Sequence, residues 1–311
     1  MSPPDPIDSV LLIAFGGPER PEEVRPFLQA VTAGRRIPPE RLEEVAHHYD
    51  RIGGRSPLNA LTRGQAEGLR AMLAAEGRTL PVWVGMRSWP PLLHETLAEM
   101  KDRGRRHALG IILSSLQTEA SWSRYVDDVA AAREKVGPDA PEVVFAPPWA
   151  GHPRFIEAMV DRTRAALEGV APARRASARL VFTAHSVPVA MAVGSPYAAQ
   201  LEAAARLITA GLGSPRFALA YQSRSGSPRD PWLEPDVRDV IRALAGEGAR
   251  DVVVVPVGFV CDHVEVLYDL DIEARAVAEA CGVGFHRAAT ANDHPAFIAM
   301  LADLVRRGVG P

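Results

Sequence analysis

Eight short apolar runs, rich in β-branched residues, recur near residues 9–14, 82–86, 109–114, 143–146, 179–184, 217–221, 251–257 and 283–287. Most are apolar throughout rather than alternating, the pattern of strands buried on both faces. Between them lie longer segments of helical periodicity. Prolines open several of these (Pro21, Pro38, Pro39), and glycines (Gly34, Gly77, Gly137, Gly169, Gly213) fall where the periodicity ends, as helix starts and stops require. Regular alternation of strand and helix predicts βα units with parallel strands. The strands divide four and four about the loop APPWAGHP at 146–153, so the expected fold is α/β, with two small doubly wound sheets and a last helix over 294–308.

Composition narrows the class. The 311 residues are 47% hydrophobic and 23% charged, with a net charge of -3, which suits a globular chain of two domains. No run of Lys and Arg suggests a nucleic-acid partner. The start, MSPPDPIDS, lacks the basic and apolar regions of a signal peptide, and no apolar run approaches the roughly 20 residues of a membrane span, so the cytoplasm is the expected location. Cys261 and Cys281 have no CxxC partner, so neither a zinc site nor an iron–sulfur cluster is expected.

Candidate chemistry gathers where strands end. The run at 251–257 breaks at Pro256 and Gly258 and is followed by Asp262, His263, Glu265, Asp269, Asp271 and Glu273. Spacing of i, i+4, i+8 would put Glu265, Asp269 and Glu273 on one helix face, about 6 Å apart per step. Like charges so placed repel by a few tenths of a kcal/mol per pair unless protons or cations occupy the row. Two other readings stand beside this one: a solvated face for Asp269 and Glu273, and a capping box in which Asp262 is the N-cap and Glu265 its partner.

His185 directly follows the strand at 179–184, a place suited to a proton acceptor or metal ligand. The absence of GxSxG excludes Ser186 as a hydrolase nucleophile. Residues 222–237 set Gln222, Ser223, Arg224 and Trp232 among glycine and prolines, a stiff wall suited to a flat hydrophobic ligand. The first strand ends in Phe15-Gly16-Gly17-Pro18 with no dinucleotide or P-loop fingerprint,. Arg35 and Arg36 are candidates to clamp ligand carboxylates, and Arg87 with Trp89 offers a guanidinium and an aromatic plane at the expected ligand edge.

Taken together, the GGP loop after the first strand, IGGRSPL at 52–58, FTAHSVP at 182–188, YQSRSGSPRDPWLEPDV at 221–237 and PVGFVCDHVEVLYDLDIE at 256–273 closely resemble the ferrochelatases, which insert ferrous iron into a porphyrin in haem synthesis. The resemblance implies two Rossmann-like domains, each a four-stranded parallel sheet flanked by helices. The first would span 1–149, completed by a C-terminal helix at 291–311, and the second 150–290. It implies catalytic and metal-contacting roles for His185 and Glu265, and a proton or metal path along Asp269 and Glu273. Phe15, Arg35, Arg36, Arg87, Ser223 and Trp232 would contact the porphyrin.

Iron would be substrate rather than resident cofactor, and a cytoplasmic monomer is expected. Two departures from the family pattern stand out. Phe15 occupies a position where coproporphyrin-inserting relatives commonly have tyrosine and many protoporphyrin-inserting ones methionine, and LSSLQTEASWSRY at 113–125 lacks the aromatic or histidine pattern of several branches. Coproporphyrin III is the expected substrate and protoporphyrin IX the alternative. A chelatase for another tetrapyrrole or metal such as cobalt, and a non-catalytic haem or porphyrin carrier, are the competing functions.

Overall fold

The computed structural model describes residues 6–34, 37–213, 216–225 and 230–308. All eight expected strands form: β1 (Ser9–Ala14), β2 (Val82–Met86), β3 (His107–Ile112), β4 (Glu142–Phe145), β5 (Arg179–His185), β6 (Phe217–Gln222), β7 (Asp251–Val255) and β8 (Gly284–Arg287). They build two four-stranded sheets of order β2-β1-β3-β4 and β6-β5-β7-β8, parallel at every pairing. β7 stops at Val255, before Pro256, whose missing N–H cannot extend the ladder. β5 runs one residue further than its apolar run, so that His185 pairs in register with Gln222.

The helices in chain order are α1 (Val24–Thr32), α2 (Pro39–Arg51), α3 (Leu58–Ala75), α4 (Leu93–Asp102), α5 (Arg124–Val136), α6 (Pro153–Glu168), α7 (Val189–Val193), α8 (Tyr197–Leu212), α9 (Val237–Gly246), α10 (Val264–Leu267), α11 (Arg275–Ala280) and α12 (Pro295–Gly308). No helix among the described residues is long and apolar enough to cross a membrane.

Two compact units result. The first comprises Met1–Ser114, Ala120–Pro148 and Asp293–Pro311, and the second Ser115–Glu119 and Trp149–Asn292. In the first unit, Val10 to Ile13 of β1 are wholly buried, as a central strand covered on both faces must be. Leu11 and Ile13 pack with Leu93, Leu97 and Met100 of α4 and Val129 of α5. The last helix, α12, packs on α3 so closely that a methyl at Gly68 would lie 3.2 Å from Ile298.

In the second unit, Val181, Val252 and Val254 meet Val237, Val240, Ile241 and Leu244 of α9. The same cluster takes in Val266, Leu270, Ala274 and Ala278, all four fully buried. Each of the first three lies one residue after a member of the acidic row. The row is therefore the outward edge of an element whose inward edge is anchored in the core.

β5 leads to β6 on one side of itself, and the chain then crosses to β7 on the other. The second sheet thus changes direction between β5 and β7, and in open α/β sheets ligands bind beyond the carboxyl ends of the strands at such a point. Gly258, just past β7, fits tightly there. Its N–H donates to the Thr183 carbonyl at 3.0 Å, and a Cβ would lie 2.5 Å from the Ala184 Cβ and 2.7 Å from its Cα. Gly258→Ala is expected to push the loop off β5 and cost about 1–3 kcal/mol, the usual range for overpacking. Urea unfolding of the two proteins side by side would measure it, and an unchanged midpoint would contradict the tight fit.

Candidate active site

His185 ends β5 and Glu265 begins the turn after the β7 loop, so the two elements at the directional switch present them to each other. His185 Nε2 lies 3.5 Å from Glu265 Oε1. The Nδ1–H of His185 donates to the Ser186 carbonyl, which leaves Nε2 as the nitrogen that gains or loses a proton. The Tyr197 hydroxyl donates to the His185 carbonyl at 2.9 Å and pins the backbone behind the ring.

A second imidazole mirrors the first. His263 Nδ1–H donates to the Cys261 carbonyl at 3.0 Å, and its Nε2 stands 3.4 Å from the other carboxylate oxygen, Oε2 of Glu265. One carboxylate thus sits between two ring nitrogens. Despite burial, which pushes a carboxyl up, the two imidazoles hold Glu265 well below the usual carboxylate range. Burial pulls His185 and His263 down, and the Glu265 charge together with the hydrogen bonds each ring makes to Glu265 and to a backbone carbonyl outweighs it, so both are raised above the ordinary histidine value.

The acidic segment is not the single α-helix its spacing suggests. α10 is one turn long, a π turn follows over Asp269–Ala274, and α11 completes it. The Glu273 N–H reaches back five residues to the Tyr268 carbonyl at 3.0 Å. In an α-helix each i+4 step drifts by about 40°, since 3.6 residues complete a turn. The wider π turn takes that drift back, which keeps Glu265, Asp269 and Glu273 on one side and Val266, Leu270 and Ala274 in the core. Such turns recur at functional sites.

Asp269, the middle of the row, is pushed up to about 7 by burial and by the charges of Glu265 and Glu273, against a hydrogen bond from Ser223 that favours ionisation. That bond runs from Ser223 Oγ to Asp269 Oδ2. Ser223 holds φ at 63°, a left-handed conformation that costs a non-glycine residue energy and tends to persist at functional sites. At the far end of the row, Glu273 meets Arg238 at 3.3 Å, and Arg238 also binds Asp236 at 2.9 Å.

The capping box suggested by Asp262 and Glu265 does not form. His263 is the N-cap of α10 and no side chain caps it, because Asp262 turns to Arg287 and Thr290. Trp232 is held beside the His185 loop. Its backbone bridges to Pro188, Leu233 N–H donates to the Val187 carbonyl at 2.9 Å, and Ser186 Oγ donates to the Leu233 carbonyl at 2.8 Å. Three buried polar atoms on these elements, Thr183 Oγ1, Gln222 Oε1 and Trp232 Nε1, have no hydrogen-bond partner, which in a folded protein calls for a ligand or water. Among the described residues no three His, Cys, Asp or Glu side chains form a ready metal cage.

The first unit carries the other candidates. Phe15, 40% exposed, meets Phe27 edge to face at 6.4 Å, and Phe27 likewise meets Tyr49 and Trp89. Arg87 lies 4.3 Å over the Tyr125 ring and 5.8 Å from that of Phe15, with its Nε donating to Asp128. A ligand carboxylate at Arg87 would share the guanidinium with Asp128. Arg35 and Arg36 lie outside the described residues.

Of the sequence candidates, the structure therefore gathers His185, Glu265, Asp269, Glu273, Ser223 and Trp232 in the second unit, and Phe15 with Arg87 in the first. Sequence reasoning placed Gln222 in the stiff polar wall and assigned no role to His263, Tyr197 or Arg238. His263 had a signal in its place beside Glu265, whereas Tyr197 and Arg238 act through contacts that no local pattern announces.

Known proteins resemble this chain over nearly its whole length. The family model described as Ferrochelatase matches residues 8–309. Proteins named coproporphyrin III ferrochelatase are similar over 96% of this chain. That of Mycobacterium avium is 48% identical over 301 residues, spanning 87% of the relative. That of Nocardia farcinica is 47% identical over 308 residues and that of Mycolicibacterium smegmatis 44% over 301, each spanning 88% of the relative. In fold, the chain resembles the sirohydrochlorin chelatase SirB from Bacillus subtilis subspecies spizizenii in complex with cobalt, with a TM-score of 0.58 and 11% identity, covering 97% of this chain and 95% of that one.

Proposed function

Because this chain belongs to the ferrochelatase family, we propose that it inserts ferrous iron into coproporphyrin III, the porphyrin in the names of its bacterial relatives. The observation that carries the mechanism is the Glu265 carboxylate held between the Nε2 atoms of His185 and His263. The reaction exchanges two inner N–H protons of the porphyrin for one Fe2+, so two protons must leave as two iron–nitrogen bonds form. His185 Nε2 accepts the first proton, and Glu265 stabilises the imidazolium that results. Asp269, with its carboxyl near 7, takes up and releases protons at neutral pH, the property required of a relay. Glu273, paired with Arg238, closes the row.

Iron is substrate in this scheme and no resident cofactor takes part. Oxygen and nitrogen donors hold ferrous iron without the grip of a thiolate set, which suits a metal that must be released. Phe15 has no heteroatom and serves as a packing surface, not an axial ligand. We place the enzyme in the cytoplasm as a monomer.

The test is anaerobic mixing of the protein with ferrous iron and either coproporphyrin III or protoporphyrin IX, with metalation followed optically. Coproporphyrin III carries more carboxylates, and a site built to pair ligand groups discriminates against analogues that lack them. Its kcat/KM is expected to be higher by at least about tenfold. Metalation of neither porphyrin above the spontaneous rate would overturn the proposal.

A further inference from the structure

What aims Glu265 is a separate question, because it lies in the first turn of its segment, where the backbone lacks intrahelical partners,. α10 gives Glu265 only one turn before the π turn begins at Asp269, and helix ends fray. Both Glu265 contacts, at 3.5 and 3.4 Å, lie at the limit of hydrogen-bond reach, so a small rotation of the segment would break them.

Besides the bonds of Ser223 to Asp269 and of Arg238 to Glu273 further along, three contacts bear on the stretch around Glu265. In the middle, Gln222 Nε2 donates to the Glu265 carbonyl at 2.5 Å. One residue, Arg287 at the end of β8, reaches both flanks. Its Nη1 donates to Asp262 Oδ1 at 3.1 Å, three residues before Glu265, and its Nε donates to Asp271 Oδ1 at 2.7 Å, six residues after it. Arg287 is 13% exposed, with Asp262 and Asp271 at 16% and 25%, so these pairs are largely shielded from water. Asp262 is also braced by the Thr290 hydroxyl at 3.0 Å and, through its own N–H, by Asn292 Oδ1 at 3.0 Å.

We propose that Arg287 is a positioning residue for metal insertion: its guanidinium ties Asp262 to Asp271 across the Glu265 segment and so directs the Glu265 carboxylate at both imidazoles. The planar fork matters, since an ammonium cannot present two fixed N–H directions at once. The inference rests on the metal-insertion reading above.

The test uses Arg287→Lys and Asp271→Asn in the full chain. In both, kcat for iron insertion is expected to fall about tenfold, the usual loss when a partner that orients a site residue is removed. The porphyrin KM should stay within about twofold, since only the acidic segment shifts. Independently of activity, an NMR titration of the His185 ring should show its pKa lower than in wild type, because the Glu265 charge has moved away. Thermal melting reports whether each variant folds, and Asp271→Asn, at a partly exposed position, serves if Arg287→Lys does not. Folded variants with unchanged kcat and unchanged His185 titration would overturn the proposal. So would a loss that follows the melting temperature while His185 titrates as in wild type. Wild-type protein that fails to metalate would sink the functional reading instead, and the NMR titration would still decide the positioning role.

Discussion

His185→Ala is expected to lower kcat for iron insertion at least about a hundredfold, the lower end of what a positioned acid–base group contributes. The reason is geometric. The ring is fixed at its back by the bond from Nδ1 to the Ser186 carbonyl, and its backbone by Tyr197, so Nε2 points to Glu265 and not to random solvent. Alanine leaves no proton acceptor at that point, and His263, whose Nε2 faces the other carboxylate oxygen, cannot reach the same position. The side chain is 27% exposed, so its removal should leave the fold intact. Porphyrin binding, judged by fluorescence quenching, should persist. Anaerobic metalation with both proteins is the measurement, and full activity in the variant would remove His185 from the mechanism.

Glu265→Gln is expected to lower the plateau rate by about a hundredfold as well and to change its pH dependence in a defined direction. In wild type, burial lowers the His185 pKa, and the Glu265 charge together with the hydrogen bonds to Glu265 and the Ser186 carbonyl more than restores it, so the value lies above the ordinary 6.5 or so,. Neutral His185 is the proton acceptor, so activity should rise with pH through that raised value. Glutamine removes the charge and leaves the burial, so the acid limb should move to lower pH even as the plateau falls. An acid limb that stays in place would separate Glu265 from His185.

Stability should follow the same linkage. A histidine raised on folding stabilises fully below its unfolded pKa of about 6.5 and loses that contribution as pH rises through the folded value. A carboxylate lowered on folding stabilises above its unfolded pKa of about 4.3 and loses this as pH falls through the folded value. The pair therefore stabilises between roughly pH 4.3 and the raised pKa of His185. Glu265→Gln should show its greatest melting deficit inside that window and a smaller one at alkaline pH. The Asp269 carboxyl, raised partly by the Glu265 charge, should ionise at lower pH in the variant.

Most strands were legible as short apolar runs bounded by turn residues, several of them rich in valine and isoleucine, and a central strand buried on both faces, such as β1 or β7, has little freedom to be anything else,. His185 and the acidic row were legible for a related reason: catalytic side chains in parallel sheets stand just past strand ends, and the ends could be located. Where local spacing misled, it did so through the backbone. The capping box was a sound local expectation for Asp262 and Glu265, and it failed because Arg287, 25 residues further on, competes for the Asp262 carboxylate. The straight helix failed at Asp269–Ala274, where a π turn keeps Val266, Leu270 and Ala274 in the core. That requirement is tertiary and invisible to a window of neighbouring residues.

By itself, then, the sequence determined which segments become strands, where their ends fall and which groups stand there, because hydrophobic burial and turn chemistry act over a few residues. The family resemblance came from the same short segments. Only the tertiary structure decided that one carboxylate faces two imidazoles, that Asp269 sits among two other charges under enough cover to reach a pKa near 7, and that Arg287 spans both flanks of the segment. These are properties of distance and burial between strand ends far apart in the chain. They exist only once β5 and β7 lie side by side.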